Sequence, residues 1–526
     1  MAGKAFANSS DAFERTLKQE TASVDQKLAA ERAEAYAETR NLDILSQNGT
    51  LPVTFSSISI HGAKNTRKSF LDPLFQPLVD SRRNAQYTLA EMLAQVSEAV
   101  GKMQRFDIFH EQIQVHLSQP SQADPSSTPT DFDVALRVRE KSRIYLKTGT
   151  DLGNAEGSAY GTMFWRNVFG GAETLALNAS AGTRTRSAYS ADLSAPVLSN
   201  PDLRLSFEGL VSSTQKPWAS HEEAVKGGAV KLNWLNPAGD KHQIGYTGAW
   251  RQITGLHEKA SASVRNDAGD SVKSSIQYFF QRDRRDNPML PQSGYLLKAA
   301  TELAGWGHLG GDVGFSKSEV EFSGALPVPV PGISKPSGVS IGAGFRAGML
   351  YPLPTGYGLD GAKPSRLNDR FTLGGPTDVR GFTMGGLGPR DGADALGGDV
   401  FAAGSVNMLL PLPRSGDDSP FRLQLFANGG RSVALQDQAK GGRSSSGKEK
   451  GETSQGQTMG SGAVWNGMTG ATRELANGLP SLSAGFGLVY AHPVARFELN
   501  FSLPMVVRRG EEARKGLSVG VGINFL

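Results

Sequence analysis

Two segments spell the Gly-x-Ser-x-Gly pattern of a hydrolase nucleophile elbow, Gly338-Val-Ser340-Ile-Gly342 and Gly516-Leu-Ser518-Val-Gly520. An elbow needs a strand, a sharp turn and then a helix to lift the serine clear of the sheet. Neither segment is followed by helical periodicity, and each lies inside an alternating strand pattern, so neither serine is read as a nucleophile. The eight histidines show no His-Glu-x-x-His spacing and no Walker A sequence occurs, which leaves neither a zinc hydrolase nor an ATP-driven engine. With no cysteine there is no thiol nucleophile, thiolate metal site or disulfide framework. The chain is therefore expected to be no enzyme, with no metal and no cofactor. The residue left for a chemical role is Arg380, in the run RFTLGGPTDVRGF from Arg370 to Phe382. Gly374, Gly375 and Gly381 around it permit tight turns and close backbone approach. The bland alternative is an exposed glycine-rich loop with a surface arginine.

The elements that would position this run follow from composition and periodicity. At 526 residues the chain exceeds one ordinary domain. Lys plus Arg number 55 and Asp plus Glu 51, for a net charge of +4 spread along the chain, so nucleic-acid binding has no support. Hydrophobic residues make up 38%, and no run of about 18 apolar residues could cross a bilayer as a helix. The 63 glycines far exceed the usual share of about 7% and lie among alternating apolar and polar residues, which suits large β architecture. Residues 1–50 are rich in Ala and mixed charge, with acids from Asp11 to Asp43, and read as a helical or disordered arm. The opening MAGKAFANSSDAFERTLKQE lacks the apolar core and cleavage site of a secretory signal.

Residues 51–141 follow the order strand, helix, helix, strand, strand. Val53, Phe55, Ile58 and Ile60 open a β segment, and Phe70, Leu71, Leu74, Phe75 and Leu78 recur at helical spacing, with Pro73 and Pro77 implying a short or kinked helix. A second helix shows a capping box at Thr88 and Glu91, an apolar face of Leu89, Met92, Leu93, Val96 and Val100, and Gly101 as terminator. Ile113 to Leu117 and Phe132 to Val138 alternate as strands, giving a three-stranded sheet backed by two helices.

From Ser142 onward no helix is expected, and the period is two. Phe497, Leu499, Phe501 and Leu503 oppose Arg496, Glu498, Asn500 and Ser502; Leu517, Val519, Val521, Ile523 and Phe525 oppose small or polar neighbours. An inward apolar face on so many strands would enclose a space too wide for side chains to fill. Turning that face outward to lipid, with charge in the lumen, resolves the difficulty. Sixteen candidate strands, starting near residues 142, 158, 173, 187, 203, 228, 243, 272, 294, 314, 339, 400, 421, 480, 494 and 516, predict a 16-stranded antiparallel transmembrane β-barrel over 142–526. That allows roughly 24 residues per strand and connection, enough for spanning strands of about 9 to 11. Two connections are long: 351–399, which carries the Arg380 run, and 431–479, read as a flexible loop because of its low-complexity segment KGGRSSSGKEKGETSQGQTMGSG.

Three features together resemble the BamA-type outer-membrane protein superfamily. Val379, Arg380, Gly381 and Phe382 match its VRGF/Y motif on the inward-folded sixth loop; Asp286 to Gly294 in RDRRDNPMLPQSGY resembles its Asp-x-Pro-x-x-Pro-x-x-Gly hairpin; and the 51–141 order resembles a POTRA domain. Ser518, Gly520, Ile523 and Phe525 fit the terminal β-signal of mitochondrial barrel proteins. A single POTRA-like unit without a secretory signal is most similar to the central barrels of the mitochondrial sorting and assembly machinery. The resemblance implies a mitochondrial outer-membrane location with the N-terminal domain in the intermembrane space. It implies an assembly factor that folds and inserts client β-barrel precursors, with membrane lipid and peripheral cytosolic-face subunits as partners and no nucleic acid. It places Arg380 in the lumen, paired with acids for which Asp399 and Glu498 are the candidates. A lateral seam is expected between a first strand at Ile144, Tyr145, Leu146, Lys147 and Thr148 and a last strand at Ser518, Gly520, Ile523 and Phe525, where client strands are templated. A passive porin-like channel and a polypeptide-transporting barrel of the same superfamily are the alternatives.

Overall fold

The computed structural model describes residues 47–80, 87–119, 128, 130–153, 156–329, 338–357, 361–412, 419–435, 458–492 and 495–522. The charged arm up to residue 46 lies outside the described residues. The chain divides into two compact units between Lys141 and Ser142.

In the first unit β1 (Pro52–His61) is followed by α1 (Lys68–Asp80), β2 (Tyr87–Thr88), α2 (Leu89–Arg105), β3 (Gln114–Ser118) and β4 (Asp131–Arg137). The sheet order is β2-β1-β4-β3, with β1 and β4 parallel. The sheet thus has four strands rather than three, because the two residues of β2 pair with Pro52 and Val53 at the entrance to α2. The capping box forms: the Glu91 backbone N–H donates to Thr88 Oγ1 at 3.3 Å, and the Thr88 N–H donates to Glu91 Oε2 at 3.0 Å. Gly101 does not end α2, which continues to Arg105. Met103 prolongs the stripe of Met92, Val96 and Ala99 and is fully buried, and that burial outweighs the roughly 1 kcal/mol a helical glycine costs. Likewise α1 runs 13 residues through Pro73 and Pro77, with Phe70, Leu71, Leu74 and Phe75 holding it to the core.

The second unit is one 16-stranded antiparallel sheet. Its strands begin with β5 (Ile144–Gly153), β6 (Glu156–Arg166), β7 (Thr174–Gly182), β8 (Thr185–Val197), β9 (Asn200–Lys216) and β10 (His221–Leu235). They continue with β11 (Lys241–Thr254), β12 (Gly269–Asp283), β13 (Gly294–Ala304), β14 (Phe315–Pro327) and β15 (Ser340–Pro352). A short separate hairpin of β16 (Arg390–Asp391) and β17 (Asp394–Ala395) interrupts them. The sheet then resumes with β18 (Val400–Pro411), β19 (Phe421–Val433), β20 (Ser481–Ala491), β21 (Arg496–Val506) and β22 (Gly516–Gly522). Each strand hydrogen-bonds to the next in this order, and β22 at one end of the sheet lies alongside β5 at the other. The predicted strand starts are close throughout. The widest miss is β10, which begins at His221 rather than Gly228; Gly228 pairs with Gly209 and Gly248 on an all-glycine rung inside the ladder.

Two helices interrupt the expected all-β unit: α3 (Ala262–Asn266) and α4 (Ser461–Asn477). The second corrects the reading of 431–479 as flexible throughout, since β19 runs to Val433 and α4 occupies the end of the connection. Most of the low-complexity segment lies outside the described residues. No described helix is long and apolar enough to cross a membrane.

The wall has the inverted sidedness the alternation predicted. On β21, Phe497, Leu499 and Leu503 are exposed while Arg496, Glu498, Asn500 and Ser502 are buried; on β19, Phe421, Leu423 and Leu425 are exposed while Arg422, Gln424 and Asn428 are buried. The outer surface carries the apolar side chains and the interior keeps the polar ones, the sidedness a membrane barrel requires.

Candidate functional site

The connection between β15 and β18 folds into the lumen and is pinned to several parts of the wall. Its centre is Arg380, whose side chain is fully buried. Arg380 Nη2 and Nε donate to Glu498 Oε2 on β21 at 2.9 and 3.1 Å. Arg496, two residues along the same inner face, reaches Glu498 Oε1 at 2.6 Å, and Asn500 Nδ2 donates to Oε2 at 2.7 Å. The Phe426 ring lies 5.0 Å under the Arg380 guanidinium. One buried carboxylate thus faces two guanidiniums, an arrangement that is tolerable in low dielectric only because each charge also has hydrogen-bond partners.

The flanking residues of the motif follow from this placement. Val379 and Phe382 join an apolar cluster with Phe371, Leu373, Leu387 and Phe401, which gives the loop its own small core. Gly381 has φ +87°, and a Cβ there would lie 2.8 Å from that of Ser483, so only glycine fits without strain. The Ser483 hydroxyl donates to the Arg380 carbonyl. Beyond the motif the loop pairs briefly with the connection between β21 and β22: Arg514 N–H donates to the Gly381 carbonyl at 2.9 Å, and Glu512 N–H to that of Gly386 at 2.9 Å.

Further ion pairs hold the same loop elsewhere. Asp369 takes a two-pronged contact from Arg251 on β11 at 2.6 and 3.1 Å, and Asp378 accepts from Arg346 on β15 at 2.9 Å while its other oxygen accepts from the Gly374 N–H at 2.9 Å. Asp399 is not bonded to Arg380, which corrects half of the predicted partner set. It lies where the loop re-enters the wall, with Arg370 at 3.8 Å and hydrogen bonds from Ser365 and the Leu435 N–H. Sequence reasoning placed Arg496 on the polar face without assigning it a partner, and missed Arg346 and Arg251 with their acids Asp378 and Asp369. Their signal was parity, since each charged wall residue sits on the lumen-facing half of its strand.

The hairpin between β12 and β13 reaches the same network from its other side. Asp286 Oδ1 accepts from the Gln292 and Ser293 N–H groups at 3.0 and 3.1 Å, and Gly294, at φ +94°, would place a Cβ 2.0 Å from the Arg284 carbonyl oxygen. In the neighbouring β10–β11 turn, hydrogen bonding from Arg282 holds the Asp240 carboxyl well below the usual carboxylate range. The hairpin tip turns inward, where Leu290 packs on Leu409 and Val489 and the Met289 carbonyl accepts from Arg496 at 3.3 Å. The hairpin and the VRGF run, far apart in sequence, are therefore joined through Arg496 and Glu498. Ser340, set aside above, opens β15 and donates to the Pro291 carbonyl of this hairpin at 3.2 Å.

At the join of the barrel, β5 and β22 are neighbours, yet among the described residues no ladder connects them, whereas every other adjacent pair has one. Ile144, Tyr145 and Leu146 of β5 are well exposed, Leu146 at 66%. Lys147 lies 5.9 Å from the Tyr160 ring, and Thr148 pairs with Gly161 of β6. On β22, Ser518 pairs with Asn500 and Gly520 with Glu498. Gly520 adds no side chain to the inner face at the very rung where Glu498 meets Arg380. Ile523 and Phe525 lie outside the described residues.

Comparison with known proteins matches residues 167–525 to the Omp85 superfamily domain. The chain is similar to the SAM50-like protein SPAC17C9.06 of Schizosaccharomyces pombe, with 38% identity covering 92% of this chain and 93% of that one. It is 31% identical to the human sorting and assembly machinery component 50 homolog over 83% of this chain and 84% of the relative. In fold it resembles a crystal structure of BamA from Haemophilus ducreyi lacking POTRA domains 1–3, with TM-score 0.67, 15% identity and coverage of 89% of this chain and 84% of that one.

Proposed function

The chain belongs to the Omp85 superfamily, among the sorting and assembly machinery 50 proteins of the mitochondrial outer membrane, and from that premise we propose that it inserts client barrels by templating their strands at the join of β5 and β22. A β-barrel assembly factor is what the family supports, and its work is not enzymatic. A client strand entering hydrocarbon carries unpaired N–H and C=O groups, each costing several kcal/mol, so it needs an edge to pair with before it leaves water. The observation that carries the reading is that, among the described residues, no ladder joins β5 and β22 in a wall that is otherwise paired from strand to strand. Such a join can exchange its own weak pairing for a client strand by β-augmentation, the backbone supplying affinity and alternating side chains recognition.

In this reading Arg380, Glu498 and Arg496 brace the lumen behind the last strands, so that β22 can part from β5 while β21 stays fixed. The N-terminal unit faces the intermembrane space and receives client precursors, and the opposite loops face the cytosol and its peripheral subunits. A passive channel is less favoured, because the lumen holds a loop pinned by three buried or half-buried ion pairs at Asp369, Asp378 and Arg380. The native chain has no cysteine, so Lys147→Cys provides a unique thiol. Disulfide formation between that thiol and a cysteine in the terminal strand of an arrested client is the expected result. Client insertion at normal rate with no crosslink along β5 overturns the templating role.

A further inference from the structure

Helix α4 is amphipathic in an unusual setting. Val464, Met468, Ala471 and Leu475 form one stripe, of which Met468, Ala471 and Leu475 pack with Val400 of β18, Val433 of β19, Tyr351 and Leu435. The side of the wall on which those residues lie is fixed by the ladders. Val400 pairs with Met349 and with Val433, and two-residue steps along the same strands lead to Phe345, Val406 and Leu425, all exposed on the outer apolar surface. Val400 and Val433 therefore point outward, and they are only 5% and 6% exposed because α4 covers them. Arg431, on the same outward face, donates to Glu474 Oε1 at 2.8 Å and ties down the last turn of α4. The helix lies against the outside of the barrel, not over its mouth.

Its height follows from the strands. Phe421 of β19 stacks with Tyr490 at 4.6 Å, and Tyr490 neighbours Phe497 at 6.1 Å, forming an aromatic band at one edge of the apolar belt. Val433 closes β19 at the other end. A strand rising about 3.3 Å per residue and tilted about 40° climbs roughly 30 Å over that span, against an apolar band of about 25 Å. The helix is thus level with the opposite interface of the bilayer.

We propose that α4 is an interfacial helix: its free surface lies in the headgroup layer beside the barrel, with Trp465 as its membrane anchor. Trp465 is 61% exposed on the flank of the buried stripe, and Leu479, just past the helix end, is 81% exposed. The side turned away from the wall carries Asn466, Thr469 and Arg473, all exposed, which suits lipid phosphates and water and excludes hydrocarbon. Leu482 and Val506, a rung next to Gly429, continue the outer apolar surface to this level. The anchor holds the wall at β15, β18 and β19, three to five strands along the sheet from β22, and leaves the join itself uncovered by the helix.

The cysteine-free chain allows a direct test. Trp465→Cys and, on the other flank, Ala463→Cys are labelled with an environment-sensitive fluorophore in the full-length protein reconstituted in phosphatidylcholine vesicles. Folding is checked by the heat-sensitive gel mobility of the barrel. Loss of fluorescence with headgroup and shallow-chain nitroxide lipids, and little loss with iodide, is expected at 465, with the reverse order at 463. Full iodide access at 465 overturns the proposal. Protection from iodide without nitroxide quenching also overturns it, by assigning the face to another copy of the chain.

Discussion

Arg380 and Glu498 have no exposure to solvent, so neither charge can be left alone without a large penalty. Arg380→Ala is expected to destabilise the barrel by about 3–5 kcal/mol, read as a lower temperature for loss of its folded gel mobility in detergent. Arg380→Lys should recover only part of this, since an ammonium cannot make the two-nitrogen contact that Nε and Nη2 make with Oε2. Gly520→Val puts a branched side chain on the inner face beside Glu498 and is expected to weaken the same bridge, while Val519→Ile on the outer face leaves it unchanged; the midpoints of the two variants in the same gel assay check this. Arg380 and Glu498 were legible from sequence because the motif named one and strand parity the other. Arg496 was legible too, being two residues from Glu498 and so on its face. Asp399 was misassigned because the path of a loop, not its distance along the chain, decides which carboxylate meets which guanidinium.

At the scale of elements, the lumenal loop is held by contacts to β11, β15 and β21 together with its own apolar core. Removing Val379 to Phe382 should take away the bridge and two core residues, and is expected to block client release or to lower barrel stability. Normal client insertion by that deletion in isolated mitochondria counts against a bracing role. In the first unit the Thr88 cap is separable from all of this: Thr88→Ala should cost about 1 kcal/mol of that unit's stability, by chemical denaturation, and leave the barrel's gel mobility untouched. The strands were nearly all readable, since alternation is written residue by residue. Helix α4 was not, because SGAVWNGMTGATRELAN contains three glycines and two threonines, and its four-residue stripe gains meaning only against the outward faces of Val400 and Val433.

For the molecule as a whole, the decisive property is that fifteen of sixteen strand boundaries are laddered and one join is not, among the described residues. Linking Lys147→Cys to Ser518→Cys with a reducible bifunctional reagent is expected to abolish client insertion, and reduction to restore it. Insertion that survives the link requires a route other than this join. The sequence by itself determined the architecture: a small α+β unit, then sixteen strands with apolar residues outward and charge inward, because side-chain alternation is a local consequence of extended backbone and needs no knowledge of neighbours. Only the tertiary structure decided that Glu498 and not Asp399 holds Arg380, that the β12–β13 hairpin touches the same network, and that α4 rests on the outer wall. Those contacts join residues as much as 207 positions apart, as between Met289 and Arg496, and such pairings are set by how the barrel closes and its loops return, which no short-range pattern encodes.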